Sequence, residues 1–234
     1  MTELLVSVRD GWEARHVVAE GVRWIDVKEP RAGALGAARS ERIREVLAVT
    51  PESVTVSVAL GELVDREDET PPDLPPGVSY VKLGLSGCRT LRNWQERWSR
   101  TLGLLPAAVK PVAVAYADWR TCGAPPPGEI IRFGVEFGCD YLLVDTFDKG
   151  LGGILCHLPQ QKLAGVLEAA RRFGLRVAVG GSLNTESIQQ ILPLEPDLVA
   201  VRSAACWGGR VGRICPEHVR ALAELVAALN PLAV

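Results

Sequence analysis

Tyr141-Leu142-Leu143-Val144-Asp145, the amphipathic stretch 160–173, and Arg176-Val177-Ala178-Val179-Gly180 together decide the fold of this chain. The two short runs are almost wholly apolar, as strands are when both of their faces are covered. Between them, Leu163, Val166, Leu167 and Ala170 fall on one helical face. Gly174 follows, where a helix of this kind ends. Strand, helix and strand in that order make a βαβ unit, which sets its two strands parallel.

The unit recurs on both sides of this stretch. Short apolar runs lie at 4–8, 24–27, 54–60, 80–85, 112–116, 141–145, 176–180 and 198–201. Helical patterns at 11–20, 40–48, 91–105, 128–137, 160–173, 185–192 and 216–229 fill the gaps. The exception is 61–77, where Asp65, Glu67, Asp68 and Glu69 precede prolines at 71, 72, 75 and 76. A crossover helix does not suit that composition, so a shortened, irregular connection is expected between strands three and four. It reads either as a solvated loop or as a contact between copies in a homo-oligomer. Eight such units predict an α/β fold, a single (β/α)8 TIM barrel over residues 1–234. No GxGxxG follows the first strand, which disfavours an open dinucleotide-binding sheet.

Composition narrows the function. A net charge of −2 carries no overall attraction for nucleic acid or an acidic membrane surface. The N-terminus lacks a basic leader, and the apolar stretch 102–117 is interrupted by Pro106, Lys110 and Pro111. Neither a signal peptide nor a membrane span is expected, and the chain reads as cytoplasmic. The six cysteines form no CxxC pair and the three histidines are far apart. No metal site of the zinc type and no cofactor are expected, and the thiols read as reduced. Cys88 and Cys206 are expected to be buried structural thiols. Trp94, Trp98 and Trp119 read as packing or interface residues.

Of the 26 basic residues, 21 are arginine and only 5 are lysine. Where arginine does the ordinary surface work, a lysine that persists points to a need for an amine, because guanidinium does not deprotonate and attack a carbonyl. Three of the five, Lys28, Lys82 and Lys149, fall on or just after strands. In a barrel of this kind, chemistry gathers at the C-terminal ends of the strands. There the sequence places Asp26 and Lys28, Lys82, Asp118, and Asp145 with Lys149 four residues on. Period two puts Asp26 and Lys28 on the inward face. One reading is amine catalysis, with neighbouring ammonium groups favouring the neutral form of a nucleophilic lysine and carboxylates moving protons. The other is a set of salt bridges at the barrel mouth. Strand seven runs into Gly180-Gly181-Ser182, and strand eight into Arg202-Ser203-Ala204-Ala205-Cys206 and Gly208-Gly209. Loops in these two positions make phosphate sites in many barrels. Tight βα turns are the plainer alternative.

Trp24-Ile25-Asp26-Val27-Lys28-Glu29-Pro30, followed by Gly33-Ala34-Leu35-Gly36-Ala37, resembles the second-strand motif of the (5-formylfuran-3-yl)methyl phosphate synthase family. The resemblance continues through Tyr80-Val81-Lys82-Leu83-Gly84-Leu85, Tyr116-Ala117-Asp118, Asp145-Thr146 with Lys149, Gly181-Ser182 and Val201-Arg202-Ser203-Ala204-Ala205-Cys206. It implies a barrel lyase that condenses two molecules of glyceraldehyde 3-phosphate and releases one phosphate and two waters. The product is the furan precursor of methanofuran-type cofactors of one-carbon metabolism. The resemblance makes Lys28 the Schiff-base lysine and Lys82 the proton acceptor, with Asp26, Asp145 and Lys149 completing the catalytic set. Asp118, Gly181, Ser182, Arg202, Ser203 and Ala204 are the expected substrate-binding residues. The residues alone also admit another Schiff-base aldolase, a phosphosugar isomerase without an imine, and a non-catalytic barrel subunit.

Overall fold

The structure is a computed structural model and describes residues 1–66 and 73–230. Eight parallel strands close a barrel in simple sequence order, each hydrogen-bonded to its chain neighbour and the eighth to the first. In order, the elements are β1 (Glu3–Val8), α1 (Gly11–Ala19), β2 (Trp24–Val27), α2 (Ser40–Leu47), β3 (Thr55–Glu62) and β4 (Tyr80–Gly84). There follow α3 (Trp94–Gly103), β5 (Lys110–Tyr116), α4 (Pro127–Glu136), β6 (Tyr141–Asp145), α5 (Ile154–His157) and α6 (Gln160–Arg172). The chain closes with β7 (Arg176–Val179), α7 (Thr185–Ile191), β8 (Leu198–Val201) and α8 (Pro216–Leu229). The expected elements all form, within a few residues at their ends. The one-turn α5 has no counterpart in the apolar pattern.

Between β3 and β4 the described residues hold only a 3-10 turn, Leu63–Asp65, and an irregular run from Asp73 to Ser79. Residues 67–72, where the acidic and proline-rich part of this connection falls, lie outside the described residues. No described helix is long and apolar enough to cross a membrane.

Two apolar clusters follow from strand alternation. Outward residues such as Ile25, Val27, Val58, Val81, Leu83, Leu142, Val144, Val177 and Val199 pack under the helices. Inward residues fill the barrel in layers drawn from alternate strands. On the even strands these are Trp24, Asp26 and then Lys28; Tyr80, Lys82 and Gly84; Tyr141, Leu143 and Asp145; and Leu198, Ala200 and Arg202. The lowest layer is an aromatic plug, with Trp24, Tyr80 and Tyr141 rings 5.5–5.9 Å apart between centroids. Above it the filling turns polar.

Gly84 shows how tightly that upper filling is set. The register between β3 and β4 shifts after Ala59, and Gly61 adopts φ +84°. The shift carries the buried Glu62 carboxyl over β4, where it accepts from the Tyr116 hydroxyl (2.5 Å) and the Ser86 amide (2.9 Å). A Cβ on Gly84 would stand 2.2 Å from Glu62 Oε2. Gly84→Ala is therefore expected to destabilise the fold by about 1–3 kcal/mol through overpacking. Urea unfolding measures this, and an unchanged midpoint would refute the tight fit.

Candidate active site

An ion pair forms the floor of the site. Lys82, reaching inward from β4, pairs with Asp26 of β2 across the barrel interior. Asp26 also accepts from Ser7 Oγ of β1 at 3.1 Å and Ser57 Oγ of β3 at 3.0 Å. Four adjacent strands thus converge on one carboxylate that is 1% exposed. Burial alone would raise the Asp26 pKa, but the ammonium groups of Lys82 and Lys28 outweigh it and hold the carboxylate below its ordinary range.

Lys28 stands one layer higher, its Nζ 3.9 Å from Asp26 Oδ2. Burial pushes its pKa down to about 8, and nearby Lys149 and Lys82 act in the same direction against the pull of Asp26 and Asp145. A useful fraction of this amine is therefore neutral near physiological pH, which a nucleophile toward a carbonyl requires.

Asp145 ends β6 and Lys149 folds back onto it, Nζ to Oδ1 at 2.5 Å. The Thr146 amide donates to the same oxygen at 2.8 Å. Lys149 also donates to the Thr146 carbonyl, and its Nζ lies 3.2 Å from Thr146 Oγ1. For Asp145 too, burial would raise the pKa, and Lys149 and Lys28 bring it below the ordinary value. Two carboxylates and three lysines thus line one cavity at the C-terminal end of the strands, with Ser7, Gly181, Ser182, Arg202, Ser203 and Arg210 among the other lining residues.

The loop after β7 bends back on itself, with Gly181 at φ +96° and Ser182 at φ +52°. A Cβ on Gly181 would come within 2.9 Å of Ile154 Cβ, so glycine is required there. The loop after β8 turns into a 3-10 helix, Ser203–Ala205. The backbone N–H groups of Gly181, Ser182, Ser203 and Ala204 find no acceptor among the described residues. Unpaired backbone amides in loops of this kind can receive anions, and Gly181, Ser182 and Ser203 lie on the cavity wall.

Not every expected residue faces the cavity. Asp118 is buried outside its wall, and its carboxylate accepts from the Phe147 amide (2.8 Å) and the Asp148 amide (2.9 Å). Its part is to hold the loop after β6, which carries Lys149. Ala204 does not line the cavity either. Arg202 does, but all five of its N–H groups point at protein acceptors. These are the carbonyls of Arg210 (2.9 Å), Ser7 (3.0 Å) and Gly212 (2.7 Å), and both Glu13 oxygens (2.5 and 3.1 Å). Arg202 braces the loop after β8 against α1, whereas the sequence reading gives it a phosphate. Cys88 and Cys206 are buried, with burial pushing their thiols up to about 12 and about 11. Trp94 and Trp98 are core residues, and Trp119 lies between Arg89 and Arg120.

The reading of the sequence misses four residues. Ser7 and Ser57 hold Asp26, and a lone hydroxyl on the inward side of an apolar strand is the signal that marks them. Glu13 is fully buried on α1 beside Ala14 and Val17, so a carboxylate on an apolar helical face announces a buried partner. Arg210 sits in an irregular loop, where no periodicity marks it.

Fold and site together define a (β/α)8 barrel with a lysine-rich centre. The chain belongs to the 4-HFC-P synthase family, whose model matches residues 4–223. It is 33% identical over 234 residues to the (5-formylfuran-3-yl)methyl phosphate synthase of Methanothermobacter thermautotrophicus, covering 95% of this chain and 98% of that one. To the protein of the same name from Methanopyrus kandleri it is 34% identical, covering 96% and 98%. To that of Methanocaldococcus jannaschii it is 32% identical, covering 95% and 98%. Among solved structures, phosphoribosyl anthranilate isomerase from Thermotoga maritima superposes with a TM-score of 0.65 at 14% identity, covering 97% of this chain and all of that one. Thiamine phosphate pyrophosphorylase from Pyrococcus furiosus gives 0.64 at 13%, covering 98% and 97%. These two likenesses concern the fold alone.

The titration of Lys28 is directly measurable. Competitive acetylation across pH, read by peptide mass, is expected to give a midpoint near 8 for Lys28. Because Asp26 favours the charged amine, Asp26→Asn is expected to move that midpoint lower still. A midpoint near the ordinary value of about 10.4 in the unaltered protein would contradict the electrostatic picture. Glu13→Ala strands the buried Arg202 and is expected to destabilise the protein by about 3–5 kcal/mol, again by urea unfolding. A change below 1 kcal/mol would remove Arg202 from its bracing role.

Proposed function

We propose that this protein condenses two molecules of glyceraldehyde 3-phosphate to (5-formylfuran-3-yl)methyl phosphate through a Schiff base on Lys28, supplying a methanofuran-type cofactor of one-carbon metabolism. The observation that carries the reading is a buried lysine with its pKa lowered to about 8, set between two carboxylates and two further lysines. Family membership selects the product.

The chemistry follows from the groups present. The neutral Lys28 amine adds to the aldehyde carbon of the first molecule, and loss of water leaves an iminium. That cation makes the neighbouring C–H acidic. Proton removal gives an enamine, whose carbon attacks the aldehyde of the second molecule. Tracing carbons through this bond, the molecule held on Lys28 contributes the phosphomethyl branch and keeps its phosphate. The second contributes the formyl end and loses its phosphate. The C2 hydroxyl of the second molecule then adds to the iminium carbon, closing the ring, and the Lys28 amine is expelled as the ring becomes aromatic. Net, two waters and one phosphate leave, so the atoms balance, and aromaticity drives the sequence forward.

Lys82 and Asp26 lie beneath Lys28, and Asp145 and Lys149 lie beside it. Hydrogen-bonded acid–base pairs in these positions suit the proton transfers of condensation and dehydration. The unpaired amides of Gly181, Ser182 and Ser203 on the cavity wall suit a phosphate. Cations outnumber carboxylates around the cavity, which favours an anionic substrate.

The test is covalent trapping. Protein incubated with glyceraldehyde 3-phosphate and borohydride is expected to carry a reduced adduct on Lys28. Lys28→Ala and Lys28→Arg are expected to form neither adduct nor furan, and Lys82→Ala is expected to form no furan while still folding. An adduct on another lysine, or full furan formation by Lys28→Arg, would overturn the assignment.

A further inference from the structure

Two arginines line the cavity and they differ in what they have left to give. Arg202 directs all five donors at protein oxygens and faces a carboxylate. Arg210 makes a single side-chain hydrogen bond, Nη2 to the Gly33 carbonyl at 2.7 Å, and pairs with no carboxylate among the described residues. Burial of this unpaired guanidinium lowers its pKa from the ordinary value. Asp145 in the same cavity attracts it at a distance but is already paired with Lys149, and Arg202 repels it. A partly buried cation without a direct partner is costly unless an anion joins it.

The backbone around Arg210 is held firmly. Its own carbonyl accepts from Arg202 Nε, and Arg202 also grips the Gly212 carbonyl. The loop is closed at its base by Trp207 N–H to the Arg213 carbonyl (2.9 Å) and Cys215 N–H to the Ala205 carbonyl (2.9 Å). Arg210 of this loop lines the cavity, and its side chain crosses to the loop after β2. There the Gly33 carbonyl also accepts from the Gly36 amide at 3.4 Å, within a turn that is itself tight. Glu29 N–H donates to the Gly36 carbonyl at 2.9 Å, and a Cβ on Gly36 would meet the Glu29 carbonyl at 2.2 Å. Arg210 is thus a side chain on a braced loop, resting on a neutral carbonyl, with four N–H donors to offer.

We infer that Arg210 is the side-chain ligand of a substrate phosphate: it leaves the Gly33 carbonyl to form charge-assisted hydrogen bonds with a phosphate dianion seated on the amides of Gly181, Ser182 and Ser203. The inference rests on the reading of this cavity as the site of a phosphorylated aldehyde. Guanidinium matches two phosphate oxygens at once, which gives both affinity and discrimination against uncharged aldehydes. The bond to Gly33 holds the arm at the cavity wall, so its exchange for phosphate loses one neutral contact and gains charged ones.

The experiment compares the unaltered protein, Arg210→Gln and Arg210→Lys. Borohydride trapping on Lys28 is followed with glyceraldehyde 3-phosphate and with glyceraldehyde, and binding of inorganic phosphate by calorimetry. Arg210→Gln is expected to raise the half-saturating concentration of glyceraldehyde 3-phosphate roughly 10- to 100-fold and to weaken inorganic phosphate comparably. Trapping by glyceraldehyde stays unchanged, and Arg210→Lys recovers part of the loss. Equal losses with both aldehydes, or unchanged phosphate binding in Arg210→Gln, would overturn the inference. If neither aldehyde is trapped by the unaltered protein, the Schiff-base reading fails. Calorimetry then still decides Arg210: weakened phosphate in Arg210→Gln supports it and equal binding overturns it.

Discussion

The pairing of Lys82 with Asp26 inside the barrel governs the rest of the site. Neither ion tolerates burial alone, since an isolated charge in a protein interior carries a penalty of several kcal/mol. Placed together and supported by the Ser7 and Ser57 hydroxyls, they bring a polar layer into an otherwise apolar barrel. That layer sets the depth of the cavity. Below it lies the aromatic plug of Trp24, Tyr80 and Tyr141. Above it, Lys28 enters a neighbourhood where burial and two other ammonium groups hold its proton loosely. The pair thus separates an aromatic lower half from a charged upper half.

Much of this was legible in the sequence because barrel strands translate directly into geometry. Period two along Trp24-Ile25-Asp26-Val27-Lys28 places Asp26 and Lys28 on the inside, and the scarcity of lysine singles out Lys28, Lys82 and Lys149. Convergence of separate strands was harder to read. Nothing local in Ser57 says that it meets Asp26, and nothing in Asp118 says that its carboxylate turns to the Phe147 and Asp148 amides instead of the cavity. The arginines illustrate the same limit. Arg202 follows strand eight and reads as a phosphate ligand, until the fold brings Glu13 from α1 against it. Arg210 carries no periodic signal at all, because its position depends on a loop whose shape Arg202 imposes.

Support and contact are therefore divided among neighbouring residues. Glu13, Arg202, Asp118, Ser7 and Ser57 fix loops and orient charges. Lys28, Lys82, Asp145 and Lys149 line the cavity. A site built this way holds its charged groups with little freedom, which suits the condensation we propose, since alignment of the partners lowers much of the barrier.

Incubation with glyceraldehyde 3-phosphate as sole substrate, followed by ultraviolet absorbance, phosphate release and product mass, tests the central claim most directly. The account predicts one furan-aldehyde phosphate and one inorganic phosphate for every two substrate molecules consumed. A reversible aldol product that retains both phosphates, or no consumption of substrate at all, would contradict it.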